Sequence, residues 1–295
     1  MKEVKKAVIL CGGLATRFLP ISKSVPKEMF PLLDKPILQV IVEDLSKAGI
    51  TDILIIVGRG KECILNHFDK NVELEQRLVQ TGKLDLLEKA QEPQKLANIF
   101  YLRQYEPRGT GAAIESVKSF VGEDPFAMMF GDEVMLCDGK NVVEQLLETY
   151  KREDKSVIAV KRVPMEETYR YGIILPGEEI ENGYRIKDIV EKPKVEDAPS
   201  DISYTGPAVL KSEIFDALKK LKVEEGKEKS LTDSFKFLCE KDQLCARFVE
   251  GERHDMGNKF GFVIANVEAC LRDENFALQM EEFIKNKAKE LEKRK

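Results

Sequence analysis

Residues Lys6 to Pro36 read KAVILCGGLATRFLPISKSVPKEMFPLLDKP. The stretch opens on an apolar run, Ala7 to Leu10, long enough for a buried strand. Gly12 and Gly13 follow at once, then Thr16 and Arg17, then a polar loop that reaches Lys27. Strand, glycine loop and basic residues in that order describe a phosphate cradle. Glycine lets the backbone approach an anion closely, and successive N–H groups can then point at it. Arg17 and Lys27 supply the counter-charge. No Gly-Lys-Ser/Thr closes the loop, and Gly12 and Gly13 are adjacent, so it is neither a Walker A loop nor a dinucleotide fingerprint. Taken alone, the two glycines are explained equally well by a tight turn after a first strand.

Outward from this stretch, apolar runs and helical periods alternate. Asp34-Lys35-Pro36 reads as a helix start; Leu38, Ile41, Val42 and Leu45 then share one face, and Gly49 can cap the end. Strands are expected at Asp52–Val57, Asn98–Leu102, Phe126–Phe130 and Ser156–Val163. Helical spacing covers Lys61–Leu96, Ala112–Val121 and Asn141–Tyr150. This rhythm predicts an α/β fold, a Rossmann-like mixed, mostly parallel sheet flanked by helices. Ligands of such sheets sit at the carboxyl ends of the strands, so the loops after Leu10, Leu102 and Phe130 should share one pocket. From Tyr169 the texture changes. YGIILPGEEIENGYRIKDIVEKPK reads as an added β-hairpin. Helices at Lys211–Lys222 and Ser230–Cys239, a strand at Leu244–Glu250 and two C-terminal helices from Asn258 to Lys295 complete the chain. No internal repeat and no linker rich in Pro, Gly or Ser is visible.

The chain has 295 residues, 43% hydrophobic and 34% charged, the composition of one large globular domain or two modest ones. A net charge of −5 gives no basic field for a nucleic-acid polymer, so a small anionic ligand needs a local basic cluster. Six cysteines without a CxxC pair suggest neither a zinc site nor a disulfide framework, and free thiols in a reducing cytoplasm are expected. The start, MKEVKK, leads into too few apolar residues for a signal peptide, and no run approaches membrane-spanning length.

Asp132 follows an apolar strand and a glycine, in a GDE turn. A carboxylate there can hold magnesium, or can simply close the turn. Asp255, in RHDMGNKFG, is a second candidate carboxylate, or a residue at the start of a helix. His254 beside it makes no dyad, because adjacent residues rarely point into one site, and the other histidine, His67, lies in a charged helix. There is no GxSxG elbow. Glu191-Lys192-Pro193 ends the second hairpin strand, where a charged pair ordinarily marks a solvated edge. Gln104 carries an amide that can donate and accept at once, as a pyrimidine edge requires.

The motifs in order resemble the signature of sugar-1-phosphate nucleotidylyltransferases, GxGTRxxP…PK. The variant with RFLP, PKEM and DKP resembles the bacterial UTP–glucose-1-phosphate uridylyltransferase branch. The likeness runs from about Lys6 to Glu268. It implies UTP and α-D-glucose 1-phosphate as substrates, UDP-glucose and pyrophosphate as products, and magnesium as cofactor. Arg17, Lys27 and Lys192 would be catalytic, and Asp132 and Asp255 would hold the metal. Cys11, Gly12, Gly13, Glu28, Gln104 and Gly109 would meet the nucleotide; Gly172, Glu191 and Lys192 would meet the sugar phosphate. The implied organisation is a nucleotidyltransferase domain over residues 1–268, with a nucleotide part over about 1–165 and a sugar part over about 166–268. A helical tail covers 269–295. Homodimers or homotetramers are implied, with neither nucleic acid nor membrane as partner. Three positions depart from the pattern: Ala15 stands where glycine is common, Thr110 interrupts a GLG-like pair, and Asn258 stands where aspartate is expected. Another nucleotide or sugar 1-phosphate, of the dTTP–glucose type, and a non-catalytic nucleotide-sugar-binding regulator are the competing readings.

Overall fold

The computed structural model describes residues 1–224 and 226–294; Lys295, the last residue of the expected tail, lies outside them. The first apolar run is strand β1 (Lys6–Cys11). The polar loop after it makes short helical turns and a two-residue ribbon, β2 (Pro31–Leu32) with β3 (Lys35–Pro36). Helix α1 (Ile37–Lys47) buries Leu38, Ile41, Val42 and Leu45, the face that the spacing predicts. Gly49 follows at φ +86°, a left-handed position that glycine reaches without a Cβ penalty. Strand β4 (Asp52–Val57) comes next, and the charged stretch after it divides into α2 (Glu62–Phe68), α3 (Val72–Gln80) and α4 (Leu84–Gln91). Strand β5 (Asn98–Arg103) leads to two short helices, α5 (Thr110–Ser116) and α6 (Lys118–Val121), where one was expected. Then follow β6 (Phe126–Phe130), β7 (Glu133–Leu136), α7 (Val142–Glu153) and β8 (Ser156–Arg162). Asn141 starts α7 with a reciprocal cap, its side chain accepting from Glu144 N while Glu144 accepts from Asn141 N.

The hairpin is β9 (Gly172–Ile180) and β10 (Gly183–Glu191). Beyond it lie β11 (Ile202–Leu210), α8 (Glu213–Lys220), α9 (Leu231–Cys239), β12 (Leu244–Phe248), β13 (Glu252–Asp255), α10 (Lys259–Arg272) and α11 (Ala277–Glu292). Strand β11 was not expected. It is buried along its whole length, yet carries Gly206-Pro207, a pair that reads as a break. The register against β8 shifts between Tyr204 and Ala208, so the proline sits in a bulge where no ladder N–H is required.

Nine strands form one sheet in the order β5-β4-β1-β6-β11-β8-β12-β10-β9. The pairs β5–β4, β4–β1, β1–β6 and β8–β12 are parallel; β11 runs antiparallel to β6 and β8 and also pairs with β9 at Ser203 and Ile173, and the hairpin continues antiparallel from β12. Successive side chains of β1 alternate between two cores, with Ala7, Ile9 and Cys11 facing α1 and α7, and Val8 facing α5 and α9. A separate ribbon pairs β7 with β13 antiparallel, Glu133 opposite Asp255. Helix α11 buries no side chain, and Leu278, Phe283 and Leu291 are exposed on it. Among the described residues no helix is long and apolar enough to cross a membrane.

One carboxyl in this frame is badly placed. Burial, with Glu43 and Glu144 nearby, pushes Asp44 up to about 6. A carboxyl raised in the folded state favours folding at low pH, and that contribution is lost as pH climbs from about 4 through 6. Asp44→Asn is therefore expected to raise stability at pH 8 by up to about 3 kcal/mol, at about 1.4 kcal/mol per pKa unit, and to leave it unchanged near pH 3. Thermal melts of both proteins across that range read the difference. Equal melting temperatures at pH 8 would refute the shift.

Candidate active site

A cleft of about 680 Å³ opens at the carboxyl ends of the central strands. Arg17, Thr110, Phe130, Glu133, Gly172, Glu191, Lys192, Tyr204, Arg253 and Asp255 line it. Five of the residues singled out in the sequence, Arg17, Gly172, Glu191, Lys192 and Asp255, thus share one wall-to-wall space. Gly172 pairs with Glu191 across the hairpin, and a Cβ on Gly172 would come within 3.2 Å of the Glu191 carboxylate. Lys192 leaves β10 in a left-handed turn, φ +46°, held by its N–H donating to Tyr171 O at 2.9 Å. Its ammonium is largely exposed and lies 3.1 Å from Glu191 Oε1.

Behind this wall runs a chain of close approaches. Gln104 Oε1 lies 2.7 Å from where a Cβ on Gly12 would stand, and Lys27 Nζ lies 3.7 Å from the same point on Gly13. Lys27 donates to Asp132 Oδ2. Burial alone would lower the Lys27 pKa; Asp132, Glu28 and Asp255 more than offset it and hold the ammonium above its ordinary value. Asp132 Oδ2 and Asp255 Oδ1 stand 2.7 and 2.9 Å from the position of a Cβ on Gly257. Only a bare glycine leaves the two carboxylates room to converge. The ribbon fixes their spacing: Met256 N donates to Asp132 O at 3.0 Å, and Gly257 N donates to Asp255 Oδ1 at 2.8 Å. Among the described residues no cluster of three or more His, Cys, Asp and Glu side chains could hold a metal alone. Two converging carboxylates fit magnesium, which takes few protein oxygens and keeps places for water and phosphate.

Two residues that the resemblance assigns to the nucleotide have buried side chains. The Glu28 side chain is 1% exposed, and both its oxygens are taken by Lys61 at 2.8 and 3.0 Å. Cys11 is fully buried, its Sγ packed against the bare Cα side of Gly131, and burial pushes its thiol well above the ordinary range. Gly109 opens at φ +95° and approaches Lys229 O, where a Cβ would stand at 2.5 Å, so it docks α5 on the segment before α9. Gln104 borders a surface depression with Tyr105 and Arg108 next to the main cleft, and its Oε1 reaches the glycine loop at Gly12.

Other groups escaped the sequence reading. Arg253 donates to Glu133 and lies over the Tyr171 ring at 5.6 Å. Burial pushes Glu133 up to about 7, against the pull of Arg253 and with help from Asp132 and Asp255. A GDE turn and an ERHD strand carry no local sign that they pair. His254 is buried, while Asp255 lines the cleft, because neighbours on a strand face opposite ways. His67 Nε2 is hydrogen-bonded to Gln39 Oε1 at 2.8 Å, away from the cleft. Two of the three departures, Thr110 and Asn258, have local reasons, and Ala15 has none. Ala15 takes the left-handed φ of +53° that suits glycine. Thr110 Oγ1 accepts from Leu231 N at 3.1 Å. Asn258 caps α10 by accepting from Gly261 N at 2.7 Å and donates to Asp255 O at 3.0 Å, the second a bond that an ionised aspartate lacks.

A parallel half-sheet with a glycine loop, basic groups and two converging carboxylates at its carboxyl edge is built to bring phosphates together. The chain belongs to the nucleotidyl transferase family, whose model matches residues 6–270. It is 46% identical over 285 residues, 97% of this chain and 99% of the relative, to the UTP–glucose-1-phosphate uridylyltransferase of Staphylococcus epidermidis. Among solved structures it is similar to the UTP-bound UGPase of Acinetobacter baumannii, with 33% identity, a TM-score of 0.88 and 96% of this chain and 99% of that one covered. A UDP-glucose pyrophosphorylase complexed with UDP-glucose matches at 32% identity and a TM-score of 0.83, over 92% of this chain and all of that one.

Proposed function

We propose that this enzyme joins UTP to α-D-glucose 1-phosphate and releases pyrophosphate, giving UDP-glucose. The observation that carries the reading is the single cleft in which Lys192 and Glu191 face Arg17 and Asp255, within a chain that aligns end to end with a named uridylyltransferase. A sugar-phosphate oxygen attacks the α-phosphorus of UTP; the new P–O bond forms as the bond to pyrophosphate breaks. The attacking oxygen is already ionised near neutral pH, so no general base is needed, and catalysis is positioning and charge stabilisation. Arg17 and Lys27 steady the triphosphate and the departing pyrophosphate. Lys192 aims the attacking phosphate, Glu191 accepts from sugar hydroxyls, and the Gly172 backbone leaves room for the ring. The amides of Gly12 and Gly13 approach the phosphates, while Gln104 and Gly109 meet the uracil. Asp132 and Asp255 would hold magnesium, which would offset charge on both substrates. In this reading residues 1–165 serve the nucleotide and 166–268 the sugar. The enzyme works in the cytoplasm as a dimer or tetramer, with the apolar residues exposed on α11 available to a second copy.

Pyrophosphate release with glucose 1-phosphate and magnesium, comparing UTP with dTTP, CTP, ATP and GTP, tests the reading. Strong preference for UTP is the expected outcome. Preference for dTTP would keep the chemistry and discard the substrate; no release with any nucleotide or sugar phosphate would leave a binding protein.

A further inference from the structure

Beneath the glycine loop sits a buried lysine that the chemistry above does not use. Lys61 lies just before α2 and is 8% exposed. Its ammonium donates to Cys11 O at 2.6 Å, to Gly13 O at 2.9 Å, and to Glu28 Oε1 and Oε2 at 2.8 and 3.0 Å. These acceptors lie at the two ends of one loop: Cys11 and Gly13 open it, and Glu28 follows Lys27 directly. Plain packing calls for no charge here, since a well-packed apolar pair serves as well as a buried ion pair or better.

The charge does something that packing cannot. Across a planar trans peptide the carbonyl of one residue and the N–H of the next point in opposite directions. Drawing the Cys11 and Gly13 carbonyls down onto Lys61 turns the amides of Gly12 and Leu14 away from it. The bare side of Gly58 packs against the same strand end, 3.2 Å from Gly12 O at the position of a Cβ. We infer that Lys61, neutralised by Glu28, is a positioning residue for nucleotidyl transfer, one that orients the loop peptides so that their amides face the polyphosphate while anchoring the turn that carries Lys27. The inference rests on the nucleotide-transfer reading given above.

The test pairs Lys61→Met with Glu28→Gln, so that no unpaired charge is left buried; Lys61→Gln, also with Glu28→Gln, is run beside it as a second route to the same loss. The expected result is a folded protein whose kcat/KM for UTP falls about 10²-fold, with the KM for glucose 1-phosphate unchanged. Hydrogen exchange at residues 12–17 should quicken while β1 keeps its protection. A merely structural Lys61 would lower the melting temperature and leave both KM values alone. Wild-type values for UTP turnover, wild-type loop exchange, or equal changes in both KM values would each overturn the inference. A wild-type enzyme that releases no pyrophosphate would sink the activity reading instead, and loop exchange alone would then judge Lys61.

Discussion

Asp132→Asn is expected to lower kcat about 10³-fold while leaving the fold intact. The substitution keeps size and shape and removes one charge, at a residue whose backbone carbonyl still holds Met256 N at 3.0 Å. Two things change at once. The ammonium of Lys27 loses the partner that holds it in place, and the pair of carboxylates that converge over Gly257 is reduced to Asp255 alone. A metal held by so few protein oxygens depends on each of them. The loss should fall on kcat, because the interactions removed matter most when charge moves from the α-phosphorus to the leaving group. Steady-state pyrophosphate release, with a melting curve as control, reads the effect. A variant within about tenfold of wild-type kcat would exclude Asp132 from the charge-stabilising machinery. A non-catalytic regulator would instead keep its partner affinity when Asp132 is changed.

The parallel half of the fold was legible because its strands are short apolar runs closed by turns and α1 and α7 each show one apolar face, whereas α3 and α4 bury no apolar side chain and their bounds were not visible in the charged stretch. Gly49 was legible too, since its position past α1 follows from spacing alone. Strand β11 was hidden by its own function in the sheet: Gly206 takes φ +110° so that the backbone can pass Phe130 and Glu133, and Pro207 falls where the ladder is broken. The β7–β13 ribbon was hidden for another reason. It pairs residues far apart in sequence, and four-residue strands carry too few alternations to announce themselves. Site residues divide the same way. Gly12 and Asp132 follow strand ends, where the fold rule looks for them. Lys61 and Arg253 meet partners that only the folded chain brings near, so single-residue motifs miss them, and nothing local in PKEM shows that Glu28 pairs with a buried lysine.

Gly183→Ala should be the most damaging single methyl in the chain. A Cβ at Gly183 would stand 1.8 Å from Ala246 O and 2.9 Å from Ala246 C, both backbone atoms of β12. No rotamer relieves such an overlap, so β10 must part from β12 or the turn at Asn182 must be rebuilt. Overpacking of this kind costs about 3 kcal/mol or more, which in a chain of this size lowers the melting temperature by roughly 10 °C. Gly82→Ala is the fitting control. It has φ +69° with nothing within 4 Å of the added methyl, so it carries backbone strain alone, about 1 kcal/mol. The damage at Gly183 should also reach the cleft. The same strand that starts at Gly183 ends at Glu191, and its only partner on the inner side is β12, paired through Gly183, Tyr184 and Arg185. Forcing those three residues off the sheet leaves the hairpin tied to it through Ile173 opposite Ser203 of β11, so the end that seats Glu191 and Lys192 is held less firmly. Whatever Gly183→Ala protein folds should therefore show a raised KM for glucose 1-phosphate with the KM for UTP nearly untouched, because β1 and its glycine loop lie on the far side of β11. Equal rises in both constants would mean that the hairpin and the nucleotide loop are not mechanically separate.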